Sequence, residues 1–351
     1  MGYNESIRFQ DTQPRGEDKS SETAQYRIIT YGADFTLEVL DSKLAHGEIV
    51  IPPFQRRFVW SLKRASRLIE SFLLGLPVPQ VFLYREEKKQ DLLVVDGHQR
   101  LKSIQFFFSE KFDGGETFRL RGVKLRWEGK KFSDLPESEQ RYLKNSVLRA
   151  TIFEQTDPKD HTSMFEVFNR LNTGGMALSS QEIRNCLYRG EIGPFLNDLN
   201  GYEKWRSILG SVRPDKRMRD VEMILRFFAL KDRWKKYTKT MRDFLSSYMA
   251  DNEDLDEKKR GELAELFKKC IDKVYNEIGS SAFRIQRGMN IAVFDSVMVA
   301  LTQVGIDNIK DLKSKYKKLL LNETYREYVS KWTSDTDRVT GRIKVATGIF
   351  S

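Results

Sequence analysis

Histidine and cysteine are scarce in this chain. Its 351 residues hold 3 histidines, His46, His98 and His161, and 2 cysteines, Cys186 and Cys270. Residues so few and so dispersed exclude a disulfide framework, a cysteine-rich zinc site and a zincin helix. They also exclude a nuclease that needs clustered histidines for metal and base. No G-x-x-x-x-G-K-[ST] and no G-x-G-x-x-G occurs, which removes the P-loop and Rossmann readings. No apolar run approaches the roughly 18 residues of a membrane helix, and the first turns of chain lack the apolar core of a secretory signal. A cytoplasmic protein without a membrane partner is expected.

What is present is enough apolar sequence for a core, with a basic excess. Hydrophobic residues make up 40%, so a wholly disordered chain is excluded. Of the net charge of +10, most falls in residues 186–351, where 32 Lys and Arg face 24 Asp and Glu. Such an excess is compatible with a nucleic-acid partner, and equally with ordinary solubilising charge.

Residues 1–24 are polar and charged and read as a disordered tail. Residues 25–185 mix strand and helix patterns. Thr36 is placed to cap a helix bearing Leu37, Leu40 and Leu44, and Ser61 to cap one bearing Ala65, Leu68, Ile69, Phe72 and Leu73. Val81–Tyr84 and Leu92–Val95 read as a hairpin, Phe118–Trp127 as a second one, and Val147–Phe153 as a strand. Ser179 and Glu182 form a capping box. Residues 186–351 follow the helical period, with helices predicted over 221–230, 241–249, 262–278, 291–304 and 309–320. The fold class is therefore α+β: an N-terminal α/β domain followed by an all-helical one.

Three clusters can carry chemistry. In Val95-Asp96-Gly97-His98-Gln99-Arg100 a buried strand turns through glycine straight into a helix. Backbone amides at a helix N-terminus favour anions, and Arg100 adds a guanidinium suited to phosphate. The same residues also fit a plain capped junction, with Asp96 as N-cap and Gln99 completing the box. In Phe54-Gln55-Arg56-Arg57-Phe58-Val59-Trp60, arginines lie among aromatics, as base stacking or a phosphate grip requires; a loop anchored by Phe58 and Trp60 fits too. In Asn169-Arg170-Leu171-Asn172-Thr173-Gly174-Gly175, small polar groups offer a second wall, or a helix C-cap. Two weaker signals remain. Asp157, Asp160 and His161 could be metal ligands or a helix start, and 213–242 pairs 11 basic residues with Phe227, Phe228, Trp234 and Tyr237, as a nucleic-acid stripe or an amphipathic helix would.

Taken in order, these clusters resemble the N-terminal domain family of GmrSD-type restriction endonucleases, whose fold is similar to the ParB/sulfiredoxin superfamily. The segment Leu68-Ile69-Glu70-Ser71-Phe72-Leu73-Leu74-Gly75-Leu76-Pro77-Val78-Pro79 adds to the likeness. The resemblance implies an NTP-binding, NTP-hydrolysing protein of prokaryotic defence against foreign DNA, modified DNA included. The nucleotide is GTP or ATP, with Mg²⁺. The family's Asp-Gly-Gln-Gln-Arg motif lands on Asp96, Gly97, His98, Gln99 and Arg100, with His98 where glutamine is usual. On this reading Gly97, the amides after it and Arg100 would hold the phosphates, Asn172, Thr173 and Gly174 would close the other wall, Asp96 would hold Mg²⁺ directly or through water, and His98 or Gln99 would orient the attacking water. Gln55, Arg56 and Arg57 would face the base, sugar or DNA. Without clustered histidines, cleavage would fall to a separately encoded nuclease or modification enzyme. The alternative is a DNA-binding or DNA-nicking ParB-like module without NTP turnover.

Overall fold

The computed structural model describes residues 7, 9, 28–52, 58–86, 90–155, 167–168, 170, 179–238, 240–285 and 288–351. The chain divides into two compact units, residues 25–178 and residues 179–351 together with 1–24.

The first unit is built on a five-stranded mixed sheet in the order β1-β5-β3-β4-β2, with β1 at Ile28–Thr36, β2 at Ile49–Val50, β3 at Val81–Arg85, β4 at Leu92–Asp96 and β5 at Val147–Gln155. β1 and β5 pair antiparallel, β5 and β3 parallel, β3 and β4 antiparallel, and β4 and β2 parallel. Leu92, Leu93, Val94 and Val95 are all buried, so β4 is covered on both faces, as an unbroken apolar run requires. Thr36 and Ser61 cap α1 (Leu37–Ala45) and α2 (Leu62–Leu73) through their side chains, each accepting from an amide three residues on. The predicted inward face of α2 is buried throughout. With α3 (His98–Phe108) and α4 (Glu137–Asn145), these helices pack on the sheet.

The second predicted hairpin does not form. Phe118, Leu120 and Trp127 are buried as the alternation suggests. Their backbone turns at Gly122 and Gly129, however, and side chains take the place of a strand ladder. Ser66 Oγ accepts from Arg121 N, Glu128 from Gly122 N and Val123 N, and Glu70 from Lys124 N.

The second unit is helical: α5 (Ser180–Leu187), α6 (Ile192–Asn200), α7 (Glu203–Leu209), α8 (Arg219–Arg233), α9 (Met241–Asp251), α10 (Glu257–Glu277), α11 (Ile291–Val304), α12 (Leu312–Leu321), α13 (Glu323–Tyr328) and α14 (Thr336–Phe350). The Ser179–Glu182 capping box opens α5 as the sequence predicts. The core centres on α11, of which residues 292–301 are buried without a break. It encloses charge as well. Arg226 donates to both oxygens of Asp295, at 3.0 and 2.5 Å, and Arg342 donates to Asp295 Oδ2 at 2.9 Å. Near the N-terminus, Ile7 is buried, Phe9 bridges Met289, and the Arg219 guanidinium lies 4.1 Å from the Phe9 ring centre. Among the described residues no helix is long and apolar enough to cross a membrane.

Candidate functional site: the turn between β4 and α3

β4 ends at Asp96, whose backbone lies opposite Phe82, and a register shift between Phe82 and Leu83 marks this end of the β3–β4 ladder. Gly97 takes φ +102°, a left-handed conformation that costs an L side chain about 1–2 kcal/mol, and becomes the N-cap of α3. No side chain caps the helix, so the Asp96–Gln99 capping box is not made. A Cβ on Gly97 would lie 2.4 Å from Val81 Cγ1. The glycine therefore lets β3 pack against the turn, and Val81 fills the space that the sequence reading reserves for a ligand over Gly97.

Each of the next residues has a distinct engagement. Arg100 Nη2 donates to Asp96 Oδ2 at 2.9 Å and to the Gln80 carbonyl at 3.1 Å. The Asp96 side chain is 39% exposed and that of Arg100 16%, so the pair faces solvent from its carboxylate side. Arg100 Nε is buried and has no hydrogen-bond partner among the described residues. Gln99 is turned inward. Its Oε1 accepts from Val59 N at 3.0 Å and from Trp60 N at 3.1 Å, tying the 58–60 segment to the first turn of α3.

Those two donors settle which end of the Gln99 amide is oxygen, so its Nε2 is the group 2.6 Å from His98 Nε2. An NH₂ group only donates, so in this contact Gln99 Nε2 is the donor and His98 Nε2 the acceptor. Gln80 contributes twice, through its carbonyl to Arg100 and through Oε1, which accepts from Thr151 Oγ1 at 3.1 Å. Gln80 does not stand out in the sequence, and Val81 is marked there only as the first residue of a strand.

Gln55, Arg56 and Arg57 lie outside the described residues, as do Asn172, Thr173 and Gly174, and Asp157, Asp160 and His161. The structure thus brings together Asp96, Gly97, His98, Gln99 and Arg100, and of the 54–60 cluster it places Phe58 in the core and Val59 and Trp60 against Gln99. Among the described residues no group of three His, Cys, Asp or Glu is placed to hold a metal. The two thiols are buried and inert: burial raises that of Cys186 and pushes that of Cys270 up to about 12.

The 213–242 stripe resolves mainly into core and ion pairs. Phe227, Phe228, Trp234 and Tyr237 are buried. Arg219 pairs with Asp215, Arg226 with Asp295, Lys231 with Asp232, Arg233 with Asp251 and Arg242 with Asp243. The amphipathic reading holds for this helix.

The fold and the turn together define a class: an α/β domain that sets a polar Asp-Gly-His-Gln-Arg turn at the end of a buried strand, opening a helix. Residues 37–189 match the family described as GmrSD restriction endonuclease, N-terminal domain. That part of the chain, under half of its 351 residues, is thus similar to the N-terminal domain of a restriction endonuclease. No curated protein matches the chain.

Proposed function

We propose that the β4–α3 turn binds the phosphates of a nucleoside triphosphate, GTP or ATP, and promotes its hydrolysis in the service of DNA restriction. The observation that supports this most is Arg100. Its guanidinium sits at a helix N-terminus, partly exposed, with a buried Nε–H that has no acceptor among the described residues. An unmet donor of this kind costs about 1–3 kcal/mol, which a phosphate oxygen would offset.

In this reading Arg100 turns from the Asp96 carboxylate toward the terminal phosphate and neutralises charge as water adds to phosphorus and the bridging oxygen leaves with the diphosphate. Asp96, freed at one oxygen, fits Mg²⁺ as a single carboxylate ligand beside phosphate oxygens; the ion would supply further charge neutralisation. His98, held by Gln99, is the residue suited to orient water. Gln99 itself positions. Gln55, Arg56, Arg57, Asn172, Thr173 and Gly174 are retained as contacts to the base, sugar and phosphates, and a separately encoded nuclease or modification enzyme as the partner. Phosphate release from the four NTPs with Mg²⁺, with and without DNA, tests the reading. Turnover that falls at least tenfold in folded Arg100→Ala supports it, and equal turnover in the two proteins refutes it.

A further inference from the structure

At the end of α8 the helix tightens into a 3₁₀ turn, Trp234–Lys236. Two anchors hold that turn. Trp234 is buried, and Tyr237 is buried with its hydroxyl donating to the Ser334 carbonyl at 2.6 Å. Between them Lys235 and Lys236 are forced outward into a cleft of about 590 Å³, which Lys231, Arg233 and, from α11, Gln303 also line. The carboxylates of the cleft are already neutralised: Asp232 pairs with Lys231 at 2.5 Å and accepts from Tyr248 Oη at 2.8 Å, and Asp251 pairs with Arg233 at 2.7 Å.

Among the described residues Lys235 and Lys236 have no carboxylate partner, and Lys235 Nζ meets only the Trp234 ring, 5.7 Å from its centre, so the cleft keeps two positive charges without an anion on adjacent residues of a fixed turn. Basic residues commonly complement a helix C-terminus. Lys231 and Arg233 occupy the last turn of α8, and Lys235 and Lys236 the 3₁₀ turn that continues it. Like charges side by side repel, and an anion relieves them. Among the described residues the one aromatic ring lining the cleft, Trp234, is buried, so they present no stacking platform for a base. It offers charge without base readout, which is the chemistry of backbone contacts to duplex nucleic acid rather than of a nucleotide or single-strand site.

We propose that this cleft docks backbone phosphates of duplex DNA through Lys235 and Lys236, independently of sequence. The choice of DNA rests on the restriction reading; the cleft shares no residue with the β4–α3 turn. The test is fluorescence anisotropy of a labelled random-sequence duplex with the full chain, across a salt series. Lys235→Ala/Lys236→Ala is expected to weaken binding roughly tenfold to thirtyfold at physiological salt and to lower the slope of log K against log salt by about 2, the value for two phosphate contacts. Lys317→Ala/Lys318→Ala, which removes the same charge from exposed positions on α12, is expected to change neither. Equal behaviour of the two double variants overturns the proposal. So does a duplex that does not bind while inorganic tripolyphosphate binds in a Lys235- and Lys236-dependent way, since the ligand is then a free phosphate. Loss of nucleotide binding in Arg100→Ala bears on the turn alone, and loss of salt slope in Lys235→Ala/Lys236→Ala on the cleft alone.

Discussion

Gln99 Nε2 lies 2.6 Å from His98 Nε2, and the backbone of the 58–60 segment dictates which of the two donates. Neighbours in sequence thus share one hydrogen bond whose direction is decided by residues 40 positions away.

That relationship predicts a tautomer. In ¹⁵N-resolved NMR of the imidazole, His98 should show a protonated Nδ1 and an unprotonated Nε2. Gln99→Glu keeps an oxygen for the Val59 and Trp60 amides but replaces the donor to His98 with a carboxylate. His98 should then stay protonated to higher pH than in the wild type. Gln99→Ala strands both amides and should cost about 1–2 kcal/mol in chemical unfolding, the lower part of the range for lost acceptors because the segment is partly solvated. An unchanged His98 titration in Gln99→Glu contradicts the assignment.

Gly97 is required by its backbone and by its neighbour. Gly97→Ala should destabilise the α/β unit by about 2–4 kcal/mol, the sum of left-handed strain and a clash with Val81. A double-mutant cycle with Val81→Ala should show coupling above about 0.5 kcal/mol, since shortening Val81 removes the clash but not the strain. Full additivity would mean that Val81 does not press on this glycine.

Much of this was open to reading from the residues, and the failures share a cause. Thr36, Ser61 and Ser179 cap helices within three or four residues of themselves, so local chemistry suffices to place them. The run Leu92–Val95 and the glycine after it mark the β4–α3 junction for the same reason. The acceptor for the Val59 and Trp60 amides, the Val81 methyl over Gly97 and the Gln80 carbonyl under Arg100 all come from distant segments, and no local pattern encodes them. Phe118–Trp127 misleads because apolar residues alternating with basic ones are the mark of a strand, whereas here Leu125 is exposed and the loop's amides are met by Glu70 and Glu128.

In the helical unit, Asp295 stands between two buried guanidinium groups. Asp295→Asn leaves Arg226 and Arg342 facing each other with no carboxylate, and should cost about 3–5 kcal/mol. Thermal unfolding reads this directly. A variant as stable as the wild type would show that the pairs contribute little to the folded state.

Glu110 closes the C-terminal end of α3. Lys131 Nζ and Ser133 N donate to its two oxygens at 2.8 and 2.7 Å, and these bonds hold its carboxyl down to about 2. The folded value lies below the ordinary one, so its contribution to stability is present above about pH 4.5 and is lost as pH falls from there toward about 2. Glu110→Gln should flatten that part of the stability–pH curve while changing little of its shape above pH 5. An unaltered acid limb would contradict the assignment.

The central claim concerns Arg100 as a phosphate ligand, and equilibrium binding of GTP and ATP in the presence of Mg²⁺ tests it most directly. Wild type should bind one of the two, Arg100→Lys should bind it more weakly, and Arg100→Ala should lose roughly tenfold to a hundredfold in affinity, the range for a charged hydrogen bond. A folded Arg100→Ala protein that binds as tightly as the wild type would contradict the account.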